Sequence, residues 1–425
     1  MKLKYPKHHL IKTGPITRCQ ICNSPELRLV LDLGHQPLAD TLPSKEMLNQ
    51  PEKTFPLRMV WCADCTSVQI DYCVDGKEVY HPGYPYLSGI TKPLADYQKN
   101  IAASLVEKYN LKKSDLIVDI GSGDGALLSG FKNLMKPLGV EPTNIAKIAN
   151  KHGIKTIQSF FDIETSQFIK KKYGQAALIT STNVFAHMQT LGEVIMGIHN
   201  LLKDGGVFIS ETHYLLDAIR DGQFDTMYHE HLRTYSVRSL VKLFSYYDFT
   251  VVDAERGTRY GGNLRLHIMK GKGRPISPNV AELLKLENEF GLDKFSTYKK
   301  FAERVGRARL EFMEFLIKAK KSGKHVVGKS CPARSSTLLN YYGVDTEFIP
   351  YLAEQSSSLK LGLYLPGKHI PVVDEKILFK EQPDYVVLMA WHYAKAIMSR
   401  LKSEGLKSDF VIPLPDLKIV KNSEV

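Results

Sequence analysis

The run LIVDIGSGDGALL at residues 116–128 constrains the fold more than any other stretch of the chain. An apolar segment that ends in Asp119 and passes at once into Gly121, Gly123 and Gly125 reads as a buried strand, a tight turn and the start of a helix. Glycine suits such a turn because the backbone there takes positive φ, or lets a bulky ligand press against it. Strands buried on both faces belong to parallel sheets covered by helices, and ligands of those sheets sit over the carboxyl ends of the strands.

A lone G-x-G-x-G turn serves several nucleotide ligands, yet two details favour S-adenosylmethionine over a dinucleotide. The spacing departs from G-x-G-x-x-G, and Asp119 at the strand end is placed to meet a ligand ammonium group. The next apolar run, 136–140, is followed by Glu141, whose carboxylate can accept hydrogen bonds from both ribose hydroxyls; that feature is common to both ligand classes. Phe160 and Phe161 offer aromatic surface for an adenine, or are plain core residues.

Around this turn, β-branched runs alternate with helical stretches from residue 84 to about 270, the pattern of βαβ units. The expected strands are 116–120, 136–140, 177–180, 207–211, 249–252 and 263–269. Residues 279–321 carry apolar side chains at helical spacing and read as connecting helices. Strand-like runs return at 325–328, 347–351, 385–389 and 410–412, giving a second, smaller α/β unit. With 425 residues, the chain exceeds what one core usually supports.

Cys19-x-x-Cys22 and Cys62-x-x-Cys65 lie in a turn-rich N-terminal region with strand-like runs at 27–33 and 55–61. Two such knuckles can close a tetrahedron of thiolates around structural Zn²⁺, with no position left open for catalysis; a redox dithiol or buried thiols are the rivals. Cys73 and Cys331 lack such partners. Lysine and arginine number 57 against 45 acidic residues, a formal charge of +12 that raises an anionic partner. The basic residues are dispersed rather than gathered with aromatics, which argues against nucleic acid. No window approaches the apolar length of a membrane span and the first residues have no apolar core of a secretion signal, so a cytoplasmic location with no membrane partner is expected.

The segment YHEHLRTYS at 228–236 is too polar for plain core. Its histidines suit proton transfer near neutral pH, while metal binding and a structural polar network remain open readings. His187 follows a strand of the nucleotide unit, where substrate-facing side chains emerge, although a structural histidine is equally compatible. Arg233, Arg265, Lys329 and Arg334 are candidates for a diphosphate contact, or are solvated charges.

Taken in order, the paired cysteines with LDLGHQPLAD at 31–40, YPYLS at 84–88, DIGSGDG at 119–125, NVFAH at 183–187 and YHEH at 228–231 form a recognisable series. It continues with GGNLR at 261–265, LLN at 338–340, YLPGKHIP at 364–371 and DYVVLMAW at 384–391. The chain resembles the S-adenosylmethionine-dependent sugar 3-C-methyltransferases that act on nucleotide-linked 4-keto-deoxysugars. The resemblance implies an α/β protein: a zinc-binding β module at 1–80, a class I, Rossmann-like methyltransferase core at 81–275, a helical bridge at 276–321 and a C-terminal Rossmann-like domain at 322–425 that helps enclose the sugar nucleotide. It implies His231 as the base that removes a proton beside the ketone, with Tyr228, Glu230 and His187 orienting it and Tyr86 also in the active site. Asp119, Gly121, Gly123, Gly125, Glu141, Phe161 and Asn183 would hold S-adenosylmethionine; Cys19, Cys22, Cys62 and Cys65 would hold one structural zinc. A monomer or homodimer is expected; the alternatives are another small-molecule carbon or heteroatom acceptor and, less favoured by the residues, a zinc-containing nucleic-acid-associated protein. The turn GKSCPARSST at 328–337 departs from the family pattern, with Ser330 and Ser335 in place of glycines and Ala353 in place of an aspartate.

Overall fold

The computed structural model describes residues 6–80 and 92–425. Seven strands form the central sheet: β1 (Leu116–Ile120), β2 (Lys136–Val140), β3 (Thr156–Ile157), β4 (Ala176–Thr182), β5 (Leu202–His213), β6 (Phe249–Gly257) and β7 (Asn263–Lys270). Their spatial order is β3-β2-β1-β4-β5-β7-β6, and β7 alone runs antiparallel to its neighbours. Every residue of β1 is buried, which explains its unbroken apolar character. At its end Gly121 takes φ +69, and its N–H donates to the Val140 carbonyl at 2.8 Å. A Cβ there would come within 2.6 Å of Val184, so only glycine fits the turn.

Before this sheet lies a four-stranded one whose first three strands, Leu27–Pro37, Thr54–Cys62 and Val68–Ile70, come from the N-terminal module. Its fourth strand, Arg233–Thr234, belongs to the segment that follows the YHEH motif, with Arg233 opposite Gln69 and Thr234 opposite Val68. The module is therefore joined to the methyltransferase core by main-chain hydrogen bonding.

Two helices, Pro278–Phe290 and Phe295–Lys321, bridge to the C-terminal unit. Ser277 caps the first, Pro278 opens it and Gly291 closes it in the left-handed conformation. The second buries Tyr298, Phe301, Val305, Ala308, Phe312, Leu316 and Ala319, a spacing of three and four that places them on one face. Trp61 of the N-terminal module stacks near Phe295 and Tyr298 and donates its indole N–H to the Leu292 carbonyl.

The C-terminal sheet is ordered Val372–Asp374, Leu352–Glu354, Val326–Lys329, Tyr385–Leu388, Asp409–Ile412 and Lys418–Val420, all parallel except the last. The strand expected at 347–351 lies instead at Leu352–Glu354. Asp345 holds the preceding residues in a turn, its carboxylate accepting from the Glu347 N–H and its carbonyl from the Ile349 N–H. The apolar side chains of 347–351 pack as part of that turn. Among the described residues no helix is long and apolar enough to cross a membrane.

Candidate active site and zinc centre

The sulfur atoms of Cys19, Cys22, Cys62 and Cys65 all lie within 4.8 Å of one another, with Cys19 to Cys65 at 3.5 Å and Cys22 to Cys62 at 3.6 Å. Four thiolates about 2.3 Å from a common ion sit about 3.8 Å apart in a tetrahedron, so the set fits Zn²⁺. Both knuckles have the same local form: Asn23 and Thr66 take positive φ and return their N–H groups to the Cys19 and Cys62 carbonyls. Next to the first knuckle, Gln20 donates through its side chain to the Leu232 carbonyl, which also accepts from the Ile70 N–H. The first knuckle and the polar segment are thus joined directly by a hydrogen bond. Among the described residues a second cluster, Asp253, Glu255 and His267, is occupied by the Lys108 ammonium, which lies 2.7 Å from Asp253 and 2.9 Å from Glu255.

A cavity of about 590 Å³ opens over the carboxyl ends of β1, β2, β4 and β5, and all parts of the chain except the bridge contribute to it. On the cofactor side it is lined by Asp119, Gly121, Ser122, Gly123, Glu141, Phe161 and Asn183. Burial raises the Asp119 carboxyl to about 7, against a 2.6 Å hydrogen bond from the Thr180 hydroxyl that opposes the rise. Glu141 accepts from the Gly123 N–H at 3.0 Å and from both the N–H and hydroxyl of Thr143. Asn183 takes φ +58, and its side-chain oxygen has no hydrogen-bond partner among the described residues. A buried acid, a second carboxylate on the cavity wall and an amide oxygen fit S-adenosylmethionine, a cationic nucleoside. Gly125 does not line this cavity; it opens the helix Ala126–Ser129 in the left-handed conformation and packs under Ile154.

The opposite wall carries Tyr80, His187, His213, Tyr228, Glu230 and His231. His231 donates Nδ1–H to the Thr226 carbonyl at 2.7 Å, so the ring's lone pair resides on Nε2. Burial lowers its pKa to about 4, so the ring is a neutral base at physiological pH. Its ring centre lies 4.0 Å from that of Tyr228, 4.7 Å from His187 and 5.2 Å from His213. Tyr80 and His187 share a 2.6 Å hydrogen bond between Oη and Nδ1. His229, although inside the motif, turns away and donates to the Pro56 carbonyl. Tyr86 lies outside the described residues.

The C-terminal domain closes the cavity with Pro332, Arg334, Lys360, His392 and Tyr393. Lys360 is buried and donates to Asp40 of the N-terminal module at 2.5 Å and to the Cys331 carbonyl at 2.9 Å. Of four candidate diphosphate contacts, Arg334 alone lines the cavity. Arg233 is buried against the Met188 carbonyl and Tyr235, Arg265 is paired with Glu211, and Lys329 with Glu375. In the altered turn Ser330 keeps the left-handed conformation at φ +71, and Glu354, beside Ala353, supplies a carboxylate that accepts from the Cys331 N–H.

Sequence reasoning missed Tyr80, His213, His392, Asp40 and Lys360. Only His213 had a local signal, since it stands at the carboxyl end of β5, where ligands bind.

A doubly wound sheet of this order, with its glycine turn beside a buried acid and a carboxylate at the next strand end, defines a class I S-adenosylmethionine-dependent methyltransferase. Family models match the chain in three consecutive parts: a zinc binding domain at 19–80, a methyltransferase domain at 94–254 and a C-methyltransferase C-terminal domain at 258–415. The C-methyltransferase NovU of Streptomyces niveus is 31% identical over 411 residues, spanning 96% of this chain and 97% of that protein. The chain belongs to this C-methyltransferase family, with S-adenosylmethionine as methyl donor and a zinc-binding N-terminal domain. Among solved structures, an S-adenosylmethionine-dependent methyltransferase from Clostridium acetobutylicum is 16% identical, covering 42% of this chain and 92% of that one with a TM-score of 0.34. Another from Anabaena variabilis is 15% identical, covering 44% and 88%, with the same TM-score of 0.34.

Proposed function

We propose that the protein methylates C3 of a nucleotide-linked 4-keto-6-deoxysugar through an enolate, in branched-sugar biosynthesis. The observation that carries this reading is His231, a neutral imidazole with a fixed tautomer, basic at Nε2, that lines the cavity also holding the cofactor cradle. A ketone acidifies the neighbouring C–H, and His231 Nε2 accepts that proton while the carbonyl oxygen takes up the charge. Tyr228 and His187, packed on the His231 ring, restrict its orientation; Glu230 lines the same wall. Bound S-adenosylmethionine supplies an electrophilic methyl group to the carbanionic carbon. The enclosing C-terminal wall excludes water from the enolate.

The test is deuterium exchange from solvent at C3 of a nucleotide-linked 4-keto-6-deoxysugar, with S-adenosylhomocysteine replacing the donor. Exchange by the wild type that disappears in His231→Ala supports the reading. No exchange across several sugar nucleotides points to another acceptor.

A further inference from the structure

His392 stands in the C-terminal domain, in the helical turn Trp391–Tyr393 that follows strand Tyr385–Leu388, and lines the shared cavity. Its Nδ1 lies 2.9 Å from Nη1 of Arg334. A guanidinium can only donate, so Nδ1 is the acceptor and the ring proton resides on Nε2. That tautomer is the opposite of the one His231 holds, where the Thr226 carbonyl claims Nδ1–H. One cavity therefore contains a fixed imidazole acceptor from the methyltransferase core and a fixed imidazole donor from the C-terminal domain.

Arg334 is itself held in place: its guanidinium lies over the Trp391 ring, with Nε 3.6 Å from the Asp225 carboxylate, which also accepts the Trp391 indole N–H. Tyr260 lies between the two sides, its ring 5.7 Å from His213 and 6.5 Å from His392. Burial, together with the Arg334 charge and His213, keeps the His392 pKa well below the ordinary imidazole value, so it donates without carrying a charge of its own. Among the described residues, no three ligand atoms of His187, His213, His231 and His392 gather as the cysteines do.

We infer that the Nε2–H of His392 is the hydrogen-bond donor to the substrate oxygen on which charge develops when His231 removes the neighbouring proton, with Arg334 as its positioning residue. This rests on the enolate reading above. In the step, the C–H bond breaks, its proton goes to His231 Nε2, and the electron pair forms the C=C bond as the carbonyl π pair moves onto oxygen. The His392 proton stays on nitrogen throughout. A neutral donor polarised from behind by a guanidinium strengthens as the oxyanion forms, which is where stabilisation accelerates a reaction.

The experiment measures C3–H exchange in the presence of S-adenosylhomocysteine, alongside cofactor affinity as a folding control. His392→Ala and His392→Phe should each slow exchange by about 10²–10³-fold, with cofactor affinity within about twofold of wild type. His392→Asn, which retains an N–H donor, should lose less. Arg334→Met should slow exchange by itself and add nothing in the His392→Ala background, as expected of a group acting through His392. Exchange in His392→Phe within about threefold of wild type overturns the assignment, and an additive Arg334 effect overturns the positioning role. Absence of exchange in the wild type removes the enolate reading itself and this inference with it, an outcome distinct from a failure confined to the variants.

Discussion

The imidazole of His231 hydrogen-bonds through Nδ1–H to the main-chain carbonyl of Thr226, five residues earlier, at 2.7 Å. The motif that carries the base thus sets the base's tautomer by folding back on itself, leaving Nε2 as the basic atom. Replacing His231 with Ala should lower methyl transfer by about 10²–10⁴-fold while cofactor affinity, measured by calorimetry, changes by less than about twofold. Loss of cofactor binding in that variant would contradict the assignment.

Cofactor affinity should depend on Glu141, whose carboxylate organises the Gly123 and Thr143 N–H groups at the cavity wall. Glu141→Ala is expected to weaken S-adenosylhomocysteine binding by at least about tenfold, or about 1.4 kcal/mol, with the exchange rate at saturating cofactor much less affected.

Zinc should act through the fold. Metal analysis is expected to find one zinc per chain, and Cys62→Ser or chelation should lower the melting temperature and activity together. The coupling follows from the strand Arg233–Thr234, which pairs with Val68–Ile70 beside the knuckles and begins two residues after His231. A metal-free protein that keeps its melting temperature but loses chemistry would contradict a structural role.

The Asp40–Lys360 pair joins the first and last domains across the cavity, and both side chains are buried. Lys360→Met strands the Asp40 charge and should destabilise the protein by about 3–5 kcal/mol in denaturant unfolding. Asp40→Asn combined with Lys360→Met should recover much of that loss.

The pH dependence follows from burial of the imidazoles. His231 titrates at about 4, so the acid limb of kcat/KM should lie near that value rather than near 6.5. Asp119, raised by burial to about 7, binds its proton in the folded chain and opposes the trend, but the pKa values of His187, His213, His231 and His392 are all lowered by burial, so below about 6.5 these four sites bind more protons in the unfolded chain. Stability present above that pH is lost as it falls toward 4, at up to about 1.4 kcal/mol per pH unit for each group. Thermal melts between pH 4 and 7 check the sign.

The parts of the fold legible in the sequence were those with local signatures. Leu116–Ile120 and Lys136–Val140 are apolar runs that end at glycine or an acid, and the two Cys-x-x-Cys knuckles announce their own geometry. Thr156–Ile157, Val372–Asp374 and Lys418–Val420 were not anticipated, because strands of two or three residues carry too little pattern to stand out. The same applies to the site. His231 was legible inside a dense polar motif, whereas Tyr80, His213, His392 and Lys360 are single polar residues on segments far apart in sequence, brought together only by three domains closing on one cavity. His229 shows the converse, since membership of the motif did not place it in the site.

The most direct measurement is to incubate the enzyme with S-adenosylmethionine carrying a ¹³C methyl group and a nucleotide-linked 4-keto-6-deoxysugar, then locate the label by NMR. A new methyl on a sugar C3 that has lost its proton is the predicted result. A label on oxygen or nitrogen, or on a carbon not adjacent to the ketone, would contradict the enolate account.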